Sequence, residues 1–263
     1  MKNIFFFEKV RKCTAILAMT VVTTVLFPLK ACAKEVLDEP TTGVITMTTM
    51  VSEVTFSVVG DKDITVDWGD GKKSNVNDAF VNPDFGWFVF THEYSETTAH
   101  QIVVTGNVTE LFCTGIGLTA LDVSRNTMLT RLHCSVNQLT TLDVSKNTAL
   151  TDLNFSRNQL TALDVSKNIA LERLEHNYNQ ITRLDLSHNT TLKILSIVGN
   201  KFTASALNDL FRTLPDYSKT ENMSGVIYLR EQNLFAEGNP GNLDCDRNIA
   251  MERGWEFMSS RFN

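Results

Sequence analysis

The side chains best suited to chemistry in this 263-residue chain are its histidines and clustered carboxylates. His92, Glu93 and His100 bring two imidazoles and a carboxylate close in sequence. A zinc helix of the H-E-x-x-H type needs its histidines four apart on one helical face. Here they are eight apart, in text that alternates apolar and polar as a strand does. No G-x-S-x-G, phosphate-binding glycine loop or C-x-x-C occurs. The reading is therefore no catalytic residue, no metal and no cofactor. The remaining groups are periodic. Asp122, Asp143, Asp164 and Asp185 stand 21 residues apart, each two residues before a serine. Stacked at strand spacing, four carboxylates repel. Either hydrogen bonds absorb that charge or a cation bridges it, and calcium would need six to eight oxygens in a concave arrangement. His176 shares a column with Cys113, Cys134, Phe155 and Ile197, which reads as a neutral core histidine hydrogen-bonded to backbone.

The richest set of polar side chains is the one that would face outward from a row of parallel strands. Its first column is Glu110, Arg131, Asp152, Arg173 and Ile194. The second is Phe112, His133, Asn154, Glu175 and Ser196; the third is Thr114, Ser135, Ser156, Asn177 and Val198. The first column alternates in sign, so neighbouring strands would build a ladder from Glu110 to Arg173. Arg157 and Tyr178 fall at the rim, and both are residue types that often dominate interfaces. The binding candidates are Arg131, His133, Asp152, Asn154, Arg157, Arg173, Glu175 and Tyr178. The same ladder also reads as a solvated face whose ion pairs serve solubility.

These columns exist only because the chain repeats. LDVSRN, LDVSKN, LDVSKN and LDLSHN start at Leu121, Leu142, Leu163 and Leu184, and a looser phrase starts at Leu132, Leu153, Leu174 and Leu195 with the same period of 21. A period near twenty means stacked supersecondary units. The looser phrase reads L-x-x-L-x-φ-x-x-N-x-L, as at Leu129, Leu132, Cys134, Asn137 and Leu139. On that pattern residues 107–202 are identified as a leucine-rich-repeat stack. They resemble the exported leucine-rich-repeat proteins of Bacteroidetes-type bacteria and, more distantly, internalins. Asn137, Asn158, Asn179 and Asn200 would turn one bend of each coil, and Asn126, Asn147, Asn168 and Asn189 the other. Position 116 holds Ile where the corner asparagine is expected, so the first coil is atypical, as terminal repeats are. Ten residues leave no room for a helix on the return side, which should be extended or 3₁₀.

Before the repeats, residues 44–48, 53–58, 64–68, 87–94 and 100–105 alternate with period two, with glycine turns between them. That pattern indicates a small antiparallel β-sandwich over residues 43–106. Val66, Asp67, Trp68, Gly69, Asp70 and Gly71, followed by Thr91-His92-Glu93-Tyr94 and Ile102-Val103-Val104-Thr105, resemble the polycystic-kidney-disease-type module. The chain differs from it in Trp68 directly before the turn and in an insertion around residues 75–85. The resemblance implies a spacer or adhesive unit. After Phe202 the period fails. Thr203 can cap a helix reaching Arg212; residues 226–229 read as a strand, 246–253 as a short helix and 255–257 as a last strand. Residues 203–263 would then be an α/β cap.

Residues 1–33 carry Lys2, Lys9, Arg11 and Lys12 before an apolar run at 14–27 too short to span a bilayer comfortably. Two endings fit this export signal. Ala31-Cys32-Ala33 is a cleavage site of the A-x-A kind; residues 29–32 are a lipoprotein box that would lipidate Cys32 and tether the chain through residues 34–42. Loss of residues 1–33 removes five basic residues and Glu8, taking the formal charge from −6 to −10. An acidic chain is a poor binder of nucleic acid or anionic lipid. The three cysteines that remain, Cys113, Cys134 and Cys245, imply no full disulfide framework. Taken together, the fold is mainly β: a short solenoid of 21-residue coils between a sandwich and a cap. Its function is non-enzymatic binding of a protein or glycan at the cell surface, with membrane contact only through Cys32. The alternative is a rigid envelope spacer without a ligand.

Overall fold

A computed structural model describes residues 43–220, 223–229 and 239–258. The export signal, the tether and Cys32 lie outside the described residues. Residues Thr42–Asn263 form one compact unit.

Seven strands precede the repeats: β1 (Val44–Thr49), β2 (Glu53–Gly60), β3 (Thr65–Asp67), β4 (Lys73–Asn75), β5 (Phe80–Val81), β6 (Phe88–Glu93) and β7 (His100–Thr105). Their alternation does what period two requires: β1 buries Ile45, Met47 and Thr49 and leaves the residues between them half-buried. The insertion around residues 75–85 begins at the end of β4 and holds β5 near its middle. Both are two or three residues of mostly exposed sequence, too short for any alternation to register.

The repeats then supply β8 (Val108–Phe112), β9 (Leu118–Asp122), β10 (Arg131–His133), β11 (Asp152–Asn154), β12 (Arg173–Glu175) and β13 (Ile194–Ser196). Helix α1 (Ala204–Thr213) follows, with the Thr203 side chain accepting from the Ala206 N–H and Leu207, Leu210 and Phe211 buried. Next come β14 (Gly225–Tyr228), a four-residue helix α2 (Asn248–Met251) and β15 (Trp255–Met258). The helix expected over 246–253 is confined to its middle. Among the described residues no helix is long and apolar enough to cross a membrane.

The strands form two sheets. One runs β4-β3-β7-β1-β9, the other β15-β14-β13-β12-β11-β10-β8-β2-β6-β5. The sequence suggested a boundary between Gly106 and Asn107; both sheets cross it. β2 pairs antiparallel with β8, the first parallel strand of the repeats, and β1 pairs antiparallel with β9, the first return segment. Along the run β8-β10-β11-β12-β13-β14-β15 of the larger sheet, each strand is parallel to the next. Within the repeats the register is 21, so Leu111, Leu132, Leu153, Leu174 and Leu195 align and are buried. The later return segments are irregular backbone with turns, assigned neither as strand nor as helix.

Leucines pointing inward require tight bends, and each bend strands backbone groups that must be paired. Asn158 shows how. Its Oδ1 accepts from the Leu139 N–H at 2.9 Å, and its Nδ2 donates to the carbonyls of Cys134 and Phe155, both at 2.9 Å. Asn137, Asn179 and Asn200 repeat the pattern one coil apart. At the other corner, Asn147, Asn168 and Asn189 each donate to carbonyls 24 and 21 residues back. At Ile116, which stands where a corner amide is expected, β1 contributes a different bond: the buried Thr49 hydroxyl donates to the Ile116 carbonyl at 2.6 Å. Asn126 is the exception. It is buried, yet neither its Nδ2 nor its Oδ1 has a partner among the described residues, because no coil precedes it.

His176 is fully buried, stacked on Phe155 at 5.7 Å and near Phe202 at 6.2 Å. Burial lowers its pKa to about 4, so it is neutral at pH 7. Its Nδ1 faces the Asn200 side-chain amide at 3.4 Å, and Nε2 has no partner among the described residues.

Two measurements test these roles. Asn158→Ala strands the buried Leu139 N–H and removes one of two amide donors from each of the Cys134 and Phe155 carbonyls; it should cost about 1–3 kcal/mol in urea unfolding, whereas Asn126→Leu should change stability by less than about 1 kcal/mol. In the second, unfolded His176 takes up a proton near pH 6.5 but folded His176 only near pH 4. Its share of stability is therefore full above about pH 6.5, declines as pH falls through that window and is level below it. The loss is about 3 kcal/mol. His176→Leu should remove that loss and keep or raise Tm at pH 7.

Candidate functional site

On the face of the parallel sheet taken as concave, strands β10, β11 and β12 are each three residues long, with the middle one buried and its neighbours half-buried; in β13 Ser196 is buried as well. The register stacks Glu110, Arg131, Asp152, Arg173 and Ile194 in one row, and Phe112, His133, Asn154, Glu175 and Ser196 in the next. The eight sequence-nominated residues separate into three groups.

In the first, Arg131 Nη1 meets Glu110 Oε2 at 2.8 Å and its Nε lies 3.7 Å from Asp152 Oδ2. His133 Nε2 lies 3.1 Å from Asp152 Oδ1, so Asp152 ties the two rows together. In the second group, Arg173 breaks the expected ladder: it pairs with Glu175 on its own strand rather than with Asp152. Residues i and i+2 share a face of a strand, and Asp152 is already shared between Arg131 and His133, so the nearer unshared carboxylate wins. Asn154 Nδ2 donates to the other Glu175 oxygen at 3.0 Å. These pairs are partly open to water and each contributes roughly 0.2–1 kcal/mol. The third row is not a presenting surface along its length. Ser156, Asn177 and Val198 are buried, with Asn177 Oδ1 accepting from Ser196 Oγ and the Val198 N–H, both at 2.8 Å.

The third group lies at the rim. Arg157 stands over the Tyr178 ring, its guanidinium carbon 4.5 Å from the centroid. Both have left-handed backbone, with φ of 57° and 54°. They belong to a column that sequence reasoning missed: Gly115, Val136, Arg157, Tyr178 and Gly199 all have φ between 54° and 72°. Glycine at both ends of a period-21 column was the available signal. Valine is poorly suited to positive φ, since its branched Cβ crowds the backbone. Val136 is nevertheless held there and is 51% exposed.

A second set was also missed. The Phe85, Trp87 and Phe112 rings stack in sequence, with centroids 4.7 and 4.6 Å apart, and His133 meets Phe112 edge-on at 5.1 Å. Phe85 ends the insertion and Trp87 directly precedes β6, so residues from outside the repeats reach this face.

The remaining candidates settle into structural roles. Asp122, Asp143, Asp164 and Asp185 each accept from the backbone N–H of the serine two residues on, at 2.8–2.9 Å. That N–H, then the serine hydroxyl, lowers the pKa of Asp143, Asp164 and Asp185; for Asp122 the hydroxyl leads. His92 Nε2 lies 2.9 Å from Asp70 Oδ2 and its ring stacks on Trp68 at 4.6 Å, while His100 stacks on Tyr94. Among the described residues no three His, Cys, Asp or Glu side chains group closely enough to hold a metal. Cys113 and Cys134 are free, buried and, through that burial, raised in pKa.

The observed stack is of leucine-rich-repeat type: short parallel strands at a 21-residue register, inward leucines and asparagine corners. No protein-family model and no curated protein matches the chain. Among solved structures it is similar to the functional domain of InlJ from Listeria monocytogenes, described as including a cysteine ladder. That match has 29% identity and a TM-score of 0.43, over 58% of this chain and 30% of that one. It is also similar to an internalin, InlF, from the same organism, at 16% identity and a TM-score of 0.37, over 57% of this chain and 46% of that one. The chain thus spans less than half the length of either.

Relief of the strained column is measurable. Val136→Asn keeps a side chain that tolerates left-handed backbone and should raise stability by about 1 kcal/mol in urea unfolding.

Proposed function

We propose that this is an exported, non-enzymatic binding protein whose concave face recognises a protein or glycan partner at or beyond the cell envelope. The observation that carries this reading is the Arg157–Tyr178 pair. Glycine would occupy their backbone positions with less strain, yet two large side chains stand there, one over the other. Among the described cations of the concave strands and rim, Arg131 and Arg173 have carboxylate partners; Arg157 has only the Tyr178 ring. A guanidinium held over a ring with its N–H groups unspent is pre-organised to meet a planar acceptor. Arg131, His133, Asp152, Asn154, Arg173 and Glu175 would supply the polar floor beside it. Export rests on the basic and apolar leader, with a lipid at Cys32 or cleavage after Ala33 as its two endings. Residues 43–106 would act as a sandwich module resembling the polycystic-kidney-disease type, and 203–263 as the cap of the stack. The Bacteroidetes-type assignment rests on the LDVSKN coils.

The alternative, a rigid spacer, draws on the same floor, since the Arg131–Glu110 and Arg173–Glu175 pairs satisfy one another without a ligand. An array of immobilised synthetic peptides and oligosaccharides separates the two. The binding reading expects at least one ligand whose affinity drops tenfold or more in Arg157→Ala/Tyr178→Ala with Tm held within a few degrees. A mature chain that retains nothing on the array, or whose binding ignores this double variant, supports the spacer.

A further inference from the structure

The concave surface does not end with the repeats. Cross-strand partners carry one row from His133 to Phe112, Ser57, Val89 and Phe80, the last on edge strand β5. The same face of the ten-stranded sheet therefore continues onto strands that precede the repeats, and its character changes there from charged to aromatic. Phe80 is 67% exposed and Phe85 63%. Isolated exposed apolar residues need no explanation, but a contiguous group marks an interaction surface. Hydrogen bonds close the turn that carries Phe85. Asn82 Oδ1 accepts from the Asp84 and Phe85 N–H groups, the Asn82 carbonyl accepts from Gly86, and the Asn82 N–H donates to the Trp87 carbonyl. Gly86, at φ 69°, allows the tight return. Phe85 is thereby fixed on Trp87, and Trp87 on Phe112.

Charge narrows the partner. Residues 43–112 hold ten carboxylates against three lysines, and no lysine or arginine lies between Lys73 and Arg125. Two of those lysines are engaged by Asp70 and Asp67. Asp78 and Asp84 stand on the same insertion as the aromatic residues. An acidic surround repels anionic lipid and favours a cationic partner. Ring geometry leaves little for sugar. Trp87 lies between Phe85 and Phe112, within 27° of parallel to each, so both its faces are covered; Phe112 is met by Trp87 and by the His133 edge, and Phe85 alone of the three keeps an outer face. A pyranose stacks on an open ring face, whereas a ridge fits between the apolar side chains of a protein segment.

We propose that Phe80, Phe85, Trp87 and Phe112 form the docking ridge for a basic protein segment carrying apolar anchors, extending the concave binding surface onto the strands before the repeats. The inference rests on the concave face being a binding surface and names the partner's chemistry at its N-terminal end.

Trp87 reports on the ridge directly, because the other two tryptophans, Trp68 and Trp255, are buried. The probe is a twelve-residue peptide alternating lysine with leucine and phenylalanine, titrated into the full chain while tryptophan emission is followed. The expected results are a saturable change in emission, affinity falling steeply with added salt, and at least tenfold weaker binding for the glutamate-for-lysine and serine-for-apolar peptides. Phe80→Ser/Phe85→Ser, at exposed positions that should leave Tm unchanged, should weaken the lysine peptide at least tenfold. Three results would each overturn the proposal: no saturable change, equal binding of the glutamate peptide, or a response to neutral hexasaccharides that the peptide does not elicit. Should the double variant fold poorly, the salt dependence and the peptide comparison in the unmodified chain decide the matter. Binding of the lysine peptide that survives Phe80→Ser/Phe85→Ser but is lost in Arg157→Ala/Tyr178→Ala overturns the ridge and leaves the rim reading intact. The reverse pattern removes Arg157 and Tyr178 and keeps the ridge.

Discussion

A buried primary amide at each corner is the constraint on which this structure depends. A coil of 21 residues must turn twice, and each turn exposes backbone donors and acceptors just where leucine packing excludes water. Asn158 meets that demand with one oxygen and one NH₂, joining its own coil to the one before it. Because each corner bonds backward by a full repeat, it also fixes the 21-residue register. The alignment of Leu111, Leu132, Leu153, Leu174 and Leu195 follows. So does the placement of everything that faces outward.

The same requirement explains how the stack begins. The first coil lacks a corner asparagine at Ile116 and has no preceding coil to bond to. Strands β1 and β2 occupy that place, β1 with the bond from the Thr49 hydroxyl to the Ile116 carbonyl and its pairing to β9, β2 with its pairing to β8. Docking these strands satisfies the open edge of the repeat sheet, which would otherwise be a site for uncontrolled pairing. A consequence for recognition is that the concave surface inherits a neighbour of different chemistry. Charged and amide side chains line the repeats, and an aromatic ridge lines the strands before them.

Sequence reading was most successful where one side chain answers to one period. The corner asparagines, the inward leucines, the two outward rows and the neutral state of His176 were all legible in the spacing of 21. It was less successful where two candidate partners compete. Arg173 sits in the column that pairs with Asp152, but Asp152 is engaged by Arg131 and His133, and Glu175 is closer at hand. His176 likewise has the Asn200 side-chain amide beside its ring, a neighbour from the next coil that the spacing did not name. The buried part of the third row shows the same limit, since Asn177 turns inward to bond Ser196 and Val198.

The sequence by itself determined the repeat, its register, its wall of leucines and its two asparagine corners. Hydrophobic period and corner chemistry are local properties written once per coil and copied. Tertiary structure decided what no local pattern carries. It joined β1 and β2 to the first coil, placed Val136, Arg157 and Tyr178 in left-handed backbone along one edge, and brought Phe85 and Trp87 onto Phe112. Those outcomes depend on which distant strand satisfies an open sheet edge and which ring fills the space beside it. Such competition between non-local partners is resolved only when the chain is packed.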